Sequence, residues 1–297
     1  MQEVTGVLNM LGLIAFLFFW SPAHQEKPLP ELKSFIAEFR KTLQSDDKLL
    51  GQYTYTLREQ EIALDSKGKA KKTETKVYQV IRGVEEWQTY RRLISKNDIP
   101  TSDKELAKQD REEKERVEKE LRKREGKSES RRASEKAKAD REEQETMDDV
   151  FDMYDIQMVK REAIGGHDTI LLTFKARPTY KPKTGDAKIL RKIAGRAWVS
   201  ESDHELVKLE AEVVDAISIG AGILAKVQKG SMLKFERRKV NDEIWLPVRV
   251  EATVNGRMLL LKGINSRSVA EYSDHKKYTV DTILKFGDPV KKPPPLN

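Results

Sequence analysis

The apolar positions of this chain change period along its length. Residues 11–20 form one unbroken apolar run from Leu11 to Trp20. Leu32, Phe35, Ile36, Phe39 and Leu43 then recur at helical spacing, which predicts an amphipathic helix over 31–46 with a single apolar stripe. The period next drops to two. Residues 52–64 alternate around Tyr53, Tyr55 and Leu57, and the turn Asp65-Ser66-Lys67-Gly68 leads to 73–82, with Val77, Tyr78, Val80 and Ile81. Gly83 marks a turn into 85–94, which carries Trp87 and Tyr90. Consecutive strands joined by tight polar turns pair antiparallel.

Residues 101–146 break the pattern. Lys, Arg, Asp and Glu dominate, and Leu106, Val117 and Leu121 are almost the only large apolar residues. Glu112/Arg116, Glu115/Lys119 and Glu118/Arg122 have the favourable i,i+4 order. Gly126-Lys127-Ser128 interrupts the run. The reading is a long charged helical insertion, either two arms or one broken helix. A helix that is polar all round buries little, so its removal is expected to cost the body little stability. Val150, Phe151 and Tyr154 then return the chain to the body in a short apolar helix.

Period two resumes at 156–163 and 168–176, around Gly165-Gly166. Residues 179–194 are a Pro- and Lys-rich connection. Residues 196–201 and 205–214 flank Ser202-Asp203-His204, and 215–230 are an apolar, glycine-containing crossing. Residues 231–240 and 243–254 flank Asn241-Asp242. Asn255-Gly256 is the strongest short hairpin signal in the chain and predicts a turn into 257–264, before a last strand near 277–285. Ile244, Leu246, Val248, Val250, Ala252 and Val254 alternate with mixed residues, as in an antiparallel sheet covered on one side. The fold class is α+β: a curved antiparallel sheet of about eleven strands, which must twist and curl at that width. It forms a half-barrel with the N-terminal helix on its concave side.

Ser21-Pro22-Ala23 follows the first apolar run, with small residues at −3 and −1 of a cut. Residues 1–23 therefore read as a signal peptide, and 24–297 as one exported domain carrying the insertion 101–146. The n-region departs from the template, having no Lys or Arg and carrying Glu3. The 297 residues include no Cys, which excludes disulfides, thiolate metal sites and a Cys nucleophile. Export without disulfides suits a bacterial periplasm. The formal charge of +7 comes from interleaved acidic and basic residues with no aromatic-laced basic run, so no nucleic-acid partner is expected. Excess Lys allows a weak peripheral contact with an anionic membrane.

The search for chemistry is largely empty. His24, His167, His204 and His275 are scattered without metal-ligand spacing. No P-loop, H-E-x-x-H or G-x-S-x-G is present, and Gly220-Ala221-Gly222 lacks the context of a dinucleotide loop. No catalytic residue, metal or cofactor is expected, and the chain is read as a non-enzyme. What remains is apolar and aromatic surface on strands, which either packs a core or lines a cavity.

Gly195-Arg196-Ala197-Trp198-Val199-Ser200, an acidic turn and Leu206-Val207-Lys208-Leu209-Glu210 look like a "G-x-x-W-V" hairpin. Val240-Asn241-Asp242-Glu243-Ile244-Trp245-Leu246-Pro247 looks like a "W-x-P" strand, and Tyr272 through Thr282 like a closing strand. In these segments the chain resembles the bacterial outer-membrane lipoprotein carrier superfamily, LolA/LolB-like and including envelope-stress sensors of the RseB type. The resemblance implies an exported protein whose curved sheet shelters acyl chains of lipids or lipoproteins. The charged segment 101–146 is foreign to the small carriers. Candidate lining residues are Tyr53, Tyr55, Leu57, Val80, Trp87, Leu172, Phe174, Trp198, Leu233, Phe235, Leu246, Val248, Leu259 and Leu261. Which face is concave stays open, because a one-residue change of register swaps faces. The competing reading is an envelope sensor or scaffold that binds a protein partner through the charged arm.

Overall fold

The structure is a computed structural model, and it describes residues 27–43, 51–83, 85–219, 224–258 and 262–277. The signal segment expected at 1–23, and the last strand expected at 277–285 beyond Lys277, lie outside the described residues. The chain divides into Met1–Pro30 and a body, Glu31–Asn297. Among the described residues, no helix is long and apolar enough to cross a membrane.

The body opens with helix α1, Leu32–Thr42. Glu31 caps it, its carboxylate accepting from the backbone N–H of Lys33 at 2.9 Å and of Ser34 at 2.6 Å. Strands β1 (Tyr53–Leu64), β2 (Ala70–Ile81), β3 (Tyr90–Lys96) and β4 (Ile99–Pro100) form a meander. Helices α2 (Asp103–Glu125) and α3 (Glu129–Met153) make the insertion, and Ser102 and Ser128 cap them. The break falls at Gly126-Lys127-Ser128, as the sequence predicts. Strands β5 (Tyr154–Ile164) and β6 (His167–Ala176) follow, then a short helix α4 (Gly185–Leu190). Strands β7 (Ile193–Ser200), β8 (Leu206–Val213), β9 (Ile217–Ile219), β10 (Ala225–Val227), β11 (Met232–Val240), β12 (Ile244–Met258) and β13 (Lys262–Lys277) complete the chain.

All strands join one curved, unclosed sheet in the order β4-β3-β2-β1-β13-β12-β11-β8-β7-β6-β5, with β10 beside β12 and β9 beside β10. Every pairing is antiparallel. The left-handed residues mark the tight turns. Asn97 and Asp98 join β3 to β4, Gly165 and Gly166 join β5 to β6, and Asn241 and Asp242 join β11 to β12, all at positive φ.

Two turn expectations are corrected. Asn255 and Gly256 do not turn; they lie inside β12, opposite Asn265 and Ile264 of β13. The glycine is needed for close approach instead: a Cβ at Gly256 would strike the carbonyl of Lys226 on β10. Trp87 is not on a strand. It sits in a 3-10 turn, Glu86–Gln88, before β3 begins.

Phe35 and Phe39 of α1 pack on Ile170 and Leu172 of β6 and on Ala197 and Val199 of β7. We call this helix-covered side the inner face. Gly195 makes room for it, since a Cβ there would stand 2.9 Å from the Phe174 ring. The outer face is a mesh of ion pairs: Arg249 with Glu251 and Glu271, Arg267 with Glu251, and Glu210 with Arg196 and Lys208.

The insertion is not wholly solvated. Leu106, Gln109, Asp110, Glu113, Val117, Glu120 and Arg124 share one half-buried stripe of α2. The Gln109 amide accepts from the N–H of Leu93 at 2.8 Å and donates to its carbonyl at 3.2 Å, which occupies the free edge of β3. Asp110 receives Tyr90 Oη and both forks of Arg92, each at 2.8 Å. In contrast, every residue of 129–145 in α3 is exposed.

These polar contacts make α2 an integral cover of the sheet edge. The double substitution Gln109→Ala, Asp110→Ala is expected to cost about 2 kcal/mol. Thermal unfolding followed by circular dichroism should show a midpoint roughly 4–8 °C lower. An unchanged midpoint would mean that α2 merely lies alongside.

Candidate functional site

The inner face has three zones, and the sheet register assigns each predicted lining residue to one of them or elsewhere. Side chains alternate between faces along a strand. Met158, Leu172, Ala197, Leu209, Phe235, Val250, Ala270 and Glu59 stand opposite one another in turn across the sheet. This row runs from beneath α1 to the far strands.

In the first zone Leu172 is buried beneath α1, and Phe174 packs against the same cluster with its ring 5.1 Å from Tyr154. These two residues belong to a filled core. In the second zone no helix among the described residues covers the sheet. Leu233, opposite Ala211 and Ala252, is 38% exposed, and Phe235, Val250 and Ala252 are half-buried. A groove of about 90 Å³ runs along Val250, Ala252, Val269 and Ala270, closed at one side by Glu59 and Glu61. Pockets that enclose a whole small molecule are typically about 300–1,000 Å³. The strip therefore offers an open bed, not a closed cavity.

The third zone lies on β1, β2 and β13. Leu57 stands opposite both Tyr272 and Tyr78, and Tyr55 stands opposite Val80, which in turn faces Arg91. Tyr55 lies 5.5 Å from Tyr272 and 5.8 Å from His275, ring centre to ring centre. Arg91 sits 4.4 Å above the ring of Tyr78 and pairs with Glu59 at 2.6 Å. Tyr53 and Leu246 are buried beside this zone with Ile244, and Tyr53 Oη donates to Glu243. Burial pushes the hydroxyls of Tyr55 and Tyr272 up from the usual tyrosine value, and the charges of Arg82 and Arg91 oppose that rise. Burial and the Arg238 charge push His275 down, so its imidazole is held neutral.

Three predicted lining residues stand elsewhere. Trp198 is opposite Leu171 and Lys208, one step out of phase with Leu172, and so faces outward. Its ring lies under Lys208 at 4.7 Å and Arg196 at 5.4 Å, and its Nε1 donates to Glu162 at 2.8 Å. It lines a roomier outer recess, about 330 Å³, whose walls include Glu162, Lys208, Glu236, Arg237 and a further predicted residue, Val248, which stands unpaired at a register shift between β11 and β12. Trp87 stacks under Arg124 of α2 at 4.5 Å and donates to Glu85 at 2.8 Å. It is covered by the insertion. Leu259 and Leu261 lie outside the described residues.

Sequence reasoning missed Tyr272, His275, Tyr78 and Arg91 as members of this face. Tyr272 and His275 sit in a polar stretch of β13, Ser266 to Lys277, which carries no apolar alternation to flag them. Among the described residues, no group of three or more His, Asp or Glu is placed to hold a metal ion.

No protein family matches the sequence and no curated protein does. Solved structures do. An outer membrane lipoprotein-sorting protein domain from Vibrio parahaemolyticus is 11% identical, with a TM-score of 0.34 over 82% of this chain and 92% of that one. A LolA superfamily protein from Nitrosomonas europaea is 12% identical, with a TM-score of 0.29 over 85% and 96%. MucB in the Pseudomonas aeruginosa MucA/MucB complex is 8% identical, with a TM-score of 0.22 over 83% and 98%.

The state of His275 yields a pH dependence with a definite sign. Its folded value lies below the ordinary imidazole value. Protonation therefore favours the unfolded chain, and the stability is complete above about pH 6.5 and is lost as pH falls through the folded value. The unfolding midpoint should fall between pH 7 and pH 5, and His275→Phe should reduce that fall. Equal slopes in the two proteins would remove His275 from the account.

Proposed function

We propose that this chain is an exported, non-enzymatic protein that binds acyl chains of lipids or lipoproteins on its inner face, in the periplasm of a Gram-negative-type bacterium. The observation that carries this reading is the uncovered apolar strip. Leu233, Phe235, Val250, Ala252 and Ala270 continue the core of α1 onto strands that no helix of the described residues covers. An exposed strip contiguous with a core attracts an apolar partner. Export is supported by the run 11–20 and by Ser21-Pro22-Ala23.

Magnitudes bound the affinity. Full burial of a methylene contributes about 0.8 kcal/mol. A chain lying on an open strip is covered on one side, so ten methylenes contribute about 4 kcal/mol. That corresponds to roughly millimolar binding before ordering costs. Tighter binding needs either a cover from above or polar contacts at one end of the chain.

Adjacent residues of β11 provide the test, because they point to opposite faces. Leu233→Glu and Met232→Glu alter side chains that are 38% and 42% exposed. A fluorescent fatty-acyl probe should bind the parent and Met232→Glu alike. It should lose binding to Leu233→Glu at an unchanged melting temperature, because an unpaired charge on the strip is costly. Equal loss in both, or in neither, would contradict an inner-face site. The export claim is checked separately, by N-terminal sequencing of the protein from its host. The mature chain is expected to begin near His24, and a cytoplasmic chain starting at Met1 contradicts it.

A second reading rests on the exposed half of α3. Residues 129–145 are exposed throughout. A helix polar all round and exposed along this length suits a bridging or partner-binding arm. Absence of any acyl-probe binding would leave this scaffold reading in place of the first.

A further inference from the structure

The described tyrosines differ in their partners. Tyr53 donates to Glu243, Tyr90 to Asp110, Tyr154 to the carbonyl of Leu190 and Tyr180 to Asp149. Each has found an acceptor. Tyr55 and Tyr272 are half-buried side by side, and their hydroxyls make no hydrogen bond among the described residues. Next to them, both ring nitrogens of His275 are buried and neither makes a well-formed hydrogen bond, the backbone of Pro247 acting on the ring only from poor geometry. A buried imidazole normally has a partner. Their convergence at one place marks a position where an acceptor belongs.

The surroundings define the acceptor. Arg82 and Arg91 act on both tyrosine hydroxyls, and Arg238 acts on His275. Two carboxylates stand nearby, Glu59 paired with Arg91, and Asp274 beside His275. The guanidinium of Arg91 is already oriented by its stack on Tyr78. Hydroxyl, imidazole and guanidinium donors around one spot suit an anionic oxygen group, for which charge-assisted hydrogen bonds are strongest.

We propose that Tyr55, Tyr272 and His275, with Arg82 and Arg91 at the rim, receive the phosphate or carboxylate headgroup of a single-chain amphiphile. This rests on the acyl-chain reading above. The chain then has a path. From Tyr272 the inner face continues through Ala270 and Val250 to Ala252 and Leu233. Two strands across and four residues along make a diagonal of about 17 Å. The headgroup supplies the polar contacts that the open strip lacks.

The test uses the purified, delipidated full chain and three probes: a pyrene-labelled hexadecanoic acid, the corresponding uncharged alcohol, and inorganic phosphate. The acid is expected to bind at least about tenfold more tightly than the alcohol, as one charge-assisted hydrogen bond suffices for that ratio. Tyr55→Phe with Tyr272→Phe, and separately Arg91→Gln, should remove the difference while leaving alcohol binding as it was. The tyrosine pair should also melt as the parent does, since hydroxyls without partners hold nothing together. Equal binding of acid and alcohol by the parent overturns the headgroup site and leaves the acyl reading standing. Failure of both acid and alcohol to bind overturns the acyl reading itself. Phosphate that binds alone as tightly as the acid, and is lost in the same variants, assigns the site to a free anion and overturns the amphiphile.

Discussion

An eleven-residue helix has to serve a sheet whose ordered path runs from β4 to β5. At about 1.5 Å per residue α1 is roughly 17 Å long, while eleven strands spaced about 4.8 Å apart span roughly 48 Å. This mismatch governs the rest of the molecule. Beneath α1 the inner face is a packed core of Phe35, Phe39, Ile170, Leu172 and Val199. Beyond the reach of α1 the same face must meet water, a ligand or its own polar groups. It does so in graded fashion: first the half-exposed Leu233 strip, then the tyrosines of β1 and β13, with Arg91 and Glu59 at the margin. The functional reading follows from the area that α1 leaves bare.

A sheet this wide also has two edges to protect, and it treats them differently. At β3 the side chain of Gln109 takes the place of a neighbouring strand, and β4 covers the remaining end by pairing with Ser95 and Lys96. At β5 a register shift falls between Met158 and Lys160, which makes Val159 a bulge and is followed by two basic residues, Lys160 and Arg161. Bulges and charges of this kind discourage edge-to-edge pairing. The outer face is kept in water by its ion-pair mesh, which at exposed positions contributes little stability and much solubility.

Much of the fold was legible because it is written in short-range signals. The stripe of α1, the Gly165-Gly166 and Asn241-Asp242 turns and the break at Gly126 all appear where periodicity and turn chemistry place them. Failures occurred where a residue serves a distant contact. Asn255-Gly256 has the chemistry of a hairpin, but Gly256 is needed for the approach of β10. Trp87 alternates like a strand residue, but Arg124 holds it in a turn from across the insertion. Faces were harder still. Trp198 is one residue out of phase with the inner row, a distinction that depends on register. His275 and Tyr272 carry no local mark, because their meaning comes from Tyr55, more than two hundred residues earlier in sequence.

The pairing of β1 with β13 joins the two ends of the body. A chain that emerges N-terminus first presents α1 and the β1–β3 meander long before their partners exist. The strands that receive Phe35 and Phe39 follow only after the charged insertion, and the neighbour of β1 comes last of all. Long-range strand pairing of this kind is slow, and unpaired strands exposed meanwhile are prone to wrong association. Maturation of this protein is thus a closing of the circle. Until Tyr272 arrives beside Tyr55 there is no third zone at all, so a truncated or half-delivered chain has the core without the cluster.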